Sequence, residues 1–219
     1  MNFALRRAIS AARWLVMLEI GIWRSLFLWV TRRRPGRRPG SQAFSYGREV
    51  RPLLMVIIFV SALELVVVHL LLPWATVRLI ALVLSVWGLL WMVGYLASIK
   101  VFPHLLDHRE LRVRFGTTTD IRIPWEAIAG VNSKRRRTPT RRSVQIQGAD
   151  DGIAVDVPVL RQTRVDVAMR EPTTVELPDG PQEITELRLY ADDPGALVAA
   201  ARERLSQTPR PLLGRAQAG

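Results

Sequence analysis

The chain has 219 residues, 31 basic against 19 acidic, a net charge of +12 and no cysteine. The lack of cysteine excludes a disulfide framework, a thiolate nucleophile and any Cys-based metal site. Lys100 and Lys134 are the only lysines among many arginines; with the heavy use of Ala and Val, this points to a GC-rich bacterial genome.

Residues 1–34 open with a helical pattern over 2–31. At about 100° per residue, Arg6, Arg13 and Arg24 fall in one stripe about 20° wide, opposite a face of Trp, Leu and Phe. An arginine stripe opposite such a face predicts a helix lying in the membrane interface. A third span over Trp14–Val30 is the competing possibility. It would bury Glu19 and Arg24 at about 2.5–3.5 kcal/mol each. It would also place Arg6, Arg7 and Arg13 outside the cell, against the charge rule. Glu19 lies off the stripe on the apolar side, where it marks a protein contact. A cleaved signal peptide is not expected, because Glu19 and Arg24 interrupt the apolar stretch and Arg32–Arg38 follow it. Residues 35–51, rich in Pro, Gly, Arg and Ser, read as a basic linker, with Arg48 and Arg51 at the inner end of the first span.

Residues 52–100 hold two long apolar runs, Leu53–Leu72 and Trp74–Ile99, parted by Pro73. At about 1.5 Å per residue each can cross a hydrocarbon core of about 30 Å. Pro73 cannot continue a helix interior, so a transmembrane hairpin is predicted. Residues 1–51 carry eleven arginines against Glu19 and Glu49, a net +9, while residues 52–100 carry +1 and residues 101–219 carry +2. This excess beside the first span predicts a multi-pass protein of the bacterial plasma membrane with both termini cytoplasmic. Glu64, His69 and Arg78 are the ionisable groups inside the spans. His69 and Arg78 lie near the outer end, and Glu64 lies about 12 Å deeper than Leu72. Intramembrane charges are candidates for ion or proton relay; a helix-packing or assembly contact is the more expected role, because two helices enclose no pathway. Gly88 and Gly94 lack Gly-x-x-x-Gly spacing, so dimerisation through that motif is unsupported.

From residue 104 to 206 the period changes to two. Leu111, Val113 and Phe115 alternate with Arg112 and Arg114, and Ile121 and Ile123 flank Arg122. Similar runs follow around 144–146, 153–157, 165–169, 173–177 and 187–189. Such alternation predicts half-buried antiparallel strands. Asp193 is placed to cap a final helix and Pro194 to open it. Leu197, Val198, Ala201 and Leu205 share its apolar face. Residues 207–219 read as a loose tail.

A membrane hairpin, about seven strands and a terminal helix together resemble bacterial membrane proteins that carry a pleckstrin-homology-like (PH-like) domain. The matching stretches are Leu111-Arg112-Val113-Arg114-Phe115-Gly116 and Ile121-Arg122-Ile123-Pro124-Trp125-Glu126-Ala127-Ile128 with Val131. Asp192-Asp193-Pro194 at the start of the last helix also fits. The resemblance covers roughly residues 53–206. It implies a membrane α-helical hairpin plus a mainly-β cytoplasmic domain, a split barrel of about seven antiparallel strands capped by a C-terminal helix. It also implies a scaffold or binding role with no catalytic residues and no cofactor.

Lys134, Arg135, Arg136, Arg137, Arg141 and Arg142 crowd one stretch expected to be a loop between two strands. PH-like domains often bind anionic headgroups through such a loop, and arginine forks match phosphate geometry. His104 and His108 are four apart, but Pro103 precedes them and a strand follows, so a polar linker is expected rather than a metal site. Hydrolase and phosphate-loop signatures do not occur in the sequence. Nucleic acid is not an expected partner, because the strands lack interleaved exposed aromatics and the β region carries only +2. The expectation is a non-enzymatic adaptor or scaffold. Its partners would be the lipid bilayer, anionic lipid headgroups, and an envelope or membrane protein or a second copy of itself. A subunit of a transport or ion-conducting assembly, working through Glu64, is the alternative.

Overall fold

The computed structural model describes residues 3–33, 35–139, 143–149, 152–178 and 180–207. The chain forms two compact units. One comprises residues 1–37, 45–103 and 114–119; the other comprises 38–44, 104–113 and 120–219.

The first unit is helical: α1 (Phe3–Val30), α2 (Val50–Leu71) and α3 (Ala75–Val101). Leu72, Pro73 and Trp74 join α2 to α3. Both α2 and α3 are long and apolar enough to cross a membrane, with mean hydropathies of 2.7 and 2.2. No residue of α2 is buried, and α3 is buried only from Gly94 onward. Exposed side chains such as Phe59, Leu70, Leu84 and Trp87 make apolar faces larger than soluble monomers usually show, which suggests membrane association.

α1 runs parallel to α3. Glu19 meets Trp91, Ile22 meets Gly94, and Trp29 meets Lys100. Glu19, Ile22 and Trp29 thus meet α3 in a helix–helix seam that the arginine-stripe pattern does not disclose, while Ile20, Phe27 and Val30 stay exposed. The seam is tight because Gly94 has no side chain: a Cβ there would stand 2.6 Å from Ile22 Cγ2 and 3.1 Å from the Ile22 carbonyl oxygen. The side chains of Arg6 and Arg13 lie outside the described residues, and Arg24 is exposed.

The second unit is mainly β. Strands β1 (Gln42–Phe44), β2 (His104–Leu106), β3 (Glu110–Phe115) and β4 (Thr119–Pro124) form one open sheet in that order. A second open sheet has the order β5-β8-β9-β7-β6. Its strands are β5 (Ile128–Arg137), β6 (Gln145–Ala149), β7 (Gly152–Val157), β8 (Gln162–Leu177) and β9 (Gly180–Leu189). Leu106, Leu111, Ile121 and Ile123 in the first sheet and Val155, Val165, Val167, Leu187 and Leu189 in the second are fully buried. Trp125 is buried in a short 3-10 turn and donates its indole N–H to the Asp107 carbonyl at 2.9 Å. The helix α4 (Pro194–Gln207) packs on β5 through a face that includes the buried Leu197, Val198 and Ala201. Asp193 accepts the Ala196 N–H at 2.9 Å and caps it.

Four differences from the sequence expectation have physical causes. Gln42–Phe44 lies within the basic stretch read as a linker, yet it pairs antiparallel with β2, Gln42 opposite Leu106 and Phe44 opposite His104. Three residues are too few to show alternation. The runs Val165–Met169 and Thr173–Leu177 belong to one strand, β8, interrupted by a register shift between Ala168 and Thr173. With β2 and β5, which also fall outside the seven alternating runs, nine strands are found among the described residues, and they form two open sheets rather than a closed barrel. Finally, β9 inserts between β7 and β8, so β7 and β9 are parallel rather than antiparallel. Alternation reports which face of a strand is buried, not which neighbour it takes.

Candidate functional site

The basic stretch is not a simple loop. Lys134, Arg135, Arg136 and Arg137 lie on strand β5, while Arg141 and Arg142 fall outside the described residues. The strand persists to Arg137 because it pairs with β8, Arg136 opposite Thr163 and Arg137 opposite Gln162. A register shift lies between Ser133 and Arg136, and beyond it the alternation of the strand sends Arg136 and Arg137 to opposite faces. Arg136 turns onto the sheet, half-buried. Lys134, Arg135 and Arg137 stay exposed and have no acidic partner among the described residues.

Beside Arg137 the chain reverses through Val159–Gln162. Val159 and Gln162 exchange backbone hydrogen bonds of 3.0 and 2.9 Å, and the two central residues, Leu160 and Arg161, have φ of 47° and 63°. Two positive φ values in a two-residue hairpin turn are usually supplied by Asn-Gly or Gly-Gly. Here a leucine and an arginine occupy them. Arg161 donates from Nε to the Thr138 carbonyl and from Nη2 to the Pro139 carbonyl, both at 3.2 Å, tying the turn to the end of β5. Leu160 stands 51 % exposed. An exposed leucine thus sits in the turn that adjoins the end of β5, where Arg137 pairs with Gln162.

Arg136 belongs to a row of charges across the same sheet. Register places Asp166 opposite Arg188, and Arg188 opposite Asp156. Arg136 contacts Asp166 at 3.1 Å and Glu186 at 3.9 Å; Arg188 contacts Glu186 at 2.5 Å and Asp156 at 3.7 Å. Asp156 and Asp166 are buried, and this desolvation pushes both carboxyls above their ordinary range despite the guanidinium groups beside them. Arg188 is desolvated as well, but the three carboxylates around it raise its pKa. Each of the three carboxylates faces a guanidinium, so the row links strands β5, β8, β9 and β7, while Asp156 Oδ1, Asp166 Oδ1 and Arg188 Nε are buried without a hydrogen bond.

The two histidines are taken up by the fold. His104 is buried in β2 and donates Nε2–H to the Tyr190 carbonyl at 2.9 Å. His108 sits exposed, its Nδ1 2.5 Å from Asp107 Oδ1, and Asp107 also pairs with Arg38 at 3.0 Å. Burial works to raise the Asp107 pKa, but the hydrogen bonds from His108 and Arg38 prevail and lower it.

In the helical unit, Glu64 and His69 are exposed on α2 and Arg78 is half-exposed on α3; none makes an ion pair among the described residues. Glu19 is different. Its two oxygens accept the indole N–H groups of Trp23 at 2.7 Å and Trp91 at 2.8 Å. The protein contact marked by Glu19 is therefore within the chain. The sequence clue was the pairing of an acidic residue on an apolar helix face with tryptophans at Trp23, Trp87 and Trp91. Trp91→Phe, which retains a ring against Tyr95 but loses the N–H, is expected to weaken the α1–α3 seam by about 1 kcal/mol. The check is the thermal midpoint of the full chain in detergent, compared with Trp74→Phe at the exposed turn.

No family model matches this sequence, and no curated protein or solved structure matches it.

Proposed function

We propose that this chain is a non-enzymatic adaptor of the bacterial plasma membrane, anchored by α2 and α3, with both termini cytoplasmic. Its β unit contacts the anionic inner leaflet through Lys134, Arg135 and Arg137, with Leu160 of the adjoining turn entering the headgroup region. The observation that carries this reading is Leu160: an exposed leucine held at positive φ in a turn at the end of a strand whose Lys134, Arg135 and Arg137 are exposed. A soluble turn gains nothing from that choice, whereas an interface rewards an apolar tip among basic residues. Each cation close to an anionic surface contributes about 1 kcal/mol. The terminal helix packed on β5 supports the PH-like resemblance, and docking of an envelope protein or a second copy is compatible with the same anchored geometry. A transport assembly is the second reading, favoured by Glu64, which lies exposed on α2; Glu64→Gln would abolish the cellular phenotype if that reading held.

The test uses the full chain in proteoliposomes, because β1 comes from residues ahead of the hairpin and a fragment starting at residue 104 lacks it. Amides of residues 134–137 and 159–162 should exchange more slowly in phosphatidylglycerol than in phosphatidylcholine. The difference should vanish at high salt. Single Gln substitutions at Lys134, Arg135 or Arg137 should each weaken the contact about fivefold. Equal exchange in both lipids would overturn the proposal.

A further inference from the structure

The C-terminal ends of α1 and α3 enclose a groove of about 460 Å³. Leu28, Trp29 and Val101 form its apolar wall, and Arg32, Arg33 and Lys100 stand around it. Three cations and no carboxylate line this groove. Lys100 Nζ lies 5.4 Å from the centre of the Trp29 ring, and none of the three cations is ion-paired among the described residues.

The way α1 ends is informative. The Arg33 N–H donates to the Leu28 carbonyl at 2.9 Å and the Arg32 N–H to the Trp29 carbonyl at 3.1 Å. This double closure needs a left-handed residue after the helix, a place where glycine predominates. Arg32 fills it at φ 55°. A side chain in that conformation costs energy that glycine avoids. Cations near helix C-termini also complement the helix dipole. That effect is available from any exposed position of the last turn, and explains neither the choice of arginine at the strained one nor the apolar groove beneath it.

We infer that this groove holds one anionic diacyl phospholipid, its phosphate clamped by Arg32, Arg33 and Lys100 and an acyl chain lying against Leu28 and Val101. Basic recesses between helices at the inner surface suit such headgroups, and arginine forks match phosphate oxygens. Trp29 supplies the amphipathic ring that belongs at headgroup level. The inference rests on the reading of α2 and α3 as membrane-spanning, but not on the contact proposed for the β unit.

The test is native mass spectrometry of the full chain in mild detergent with equal amounts of dioleoylphosphatidylglycerol and dioleoylphosphatidylcholine. The glycerol lipid should be bound about tenfold more, and the double variant Arg33→Gln/Lys100→Gln should remove the preference. Lys134→Gln/Arg135→Gln should leave it intact. Arg32→Gly should lower phosphatidylglycerol binding while raising the melting temperature, a combination that misfolding cannot produce. Excess glycerol phosphate, which has the charge without the chains, should not displace the lipid. Equal binding of the two lipids, retention by the double variant, or displacement by glycerol phosphate would each overturn the groove as a lipid site. Release of the chain from membranes by alkaline carbonate would overturn the membrane reading, and this inference with it; carbonate resistance without lipid preference would overturn the groove alone.

Discussion

Replacing Arg188 by Met is expected to destabilise the five-stranded sheet by about 3–5 kcal/mol at neutral pH, the usual cost of removing one partner from a buried charge cluster. Arg188 faces Asp156 and Glu186 directly, and Asp166 lies opposite it in the register. Without it, Arg136 alone opposes three carboxylates. The loss should be read as faster exchange of the β7, β8 and β9 amides in the full chain in detergent.

The pH dependence follows from the same row. Asp156 and Asp166 have folded-state pKa values above the ordinary 3.8. The folded protein therefore binds more protons than the unfolded chain in the interval just above 3.8. By linkage, stability falls as pH rises through that interval and recovers on acidification. Asp156→Asn should flatten this slope, and acidification should return part of the stability lost in Arg188→Met. Asp107 behaves oppositely. Its pKa is lowered, so its contribution is present above 3.8 and disappears as pH falls through the lower folded value. Melting temperatures between pH 7 and pH 3 separate the two windows, and a flat profile in the wild type above 3.8 would contradict the role given to Asp156 and Asp166.

Gly94→Val carries the second large effect. The added side chain would meet both the side chain and the backbone carbonyl of Ile22, and backbone cannot rotate away. Overpacking of this kind costs about 3 kcal/mol at the upper end of its usual range. α1 should then part from α3, and the indole contacts of Glu19 with Trp91 should break with it. Gly88→Val is the matched control, since its Cβ would meet nothing within 4 Å. Cysteines replacing Glu19 and Trp91, bridged by a short thiol-reactive bifunctional reagent, should cross-link in the parent and in Gly88→Val but not in Gly94→Val. Equal cross-linking in all three would mean that the seam is looser than its geometry implies.

The sequence alone determined the two apolar helices, the turn at Pro73, the mainly-β character of the C-terminal half and the capped final helix. Each is written in local period or in a cap, and local backbone physics reads those directly. It also marked Glu19 as a contact, because an acid among apolar residues needs a partner wherever the helix lies. What it left undetermined was decided by neighbours distant along the chain. Nothing local tells Gln42–Phe44 that it will pair with β2 across the whole hairpin, or β9 that it will insert between β7 and β8. Arg136 and Arg137 look alike in a run of four cations; only the pairing of β5 with β8 and the acids of β8 and β9 draw one onto the sheet and leave the other exposed. Leu160 and Arg32 are ordinary letters in the sequence. Their positive φ values come from the backbone closures of a helix end and a hairpin turn at positions where glycine or asparagine is the usual signal, and this is why the two residues that carry the functional proposals were visible only in the folded chain.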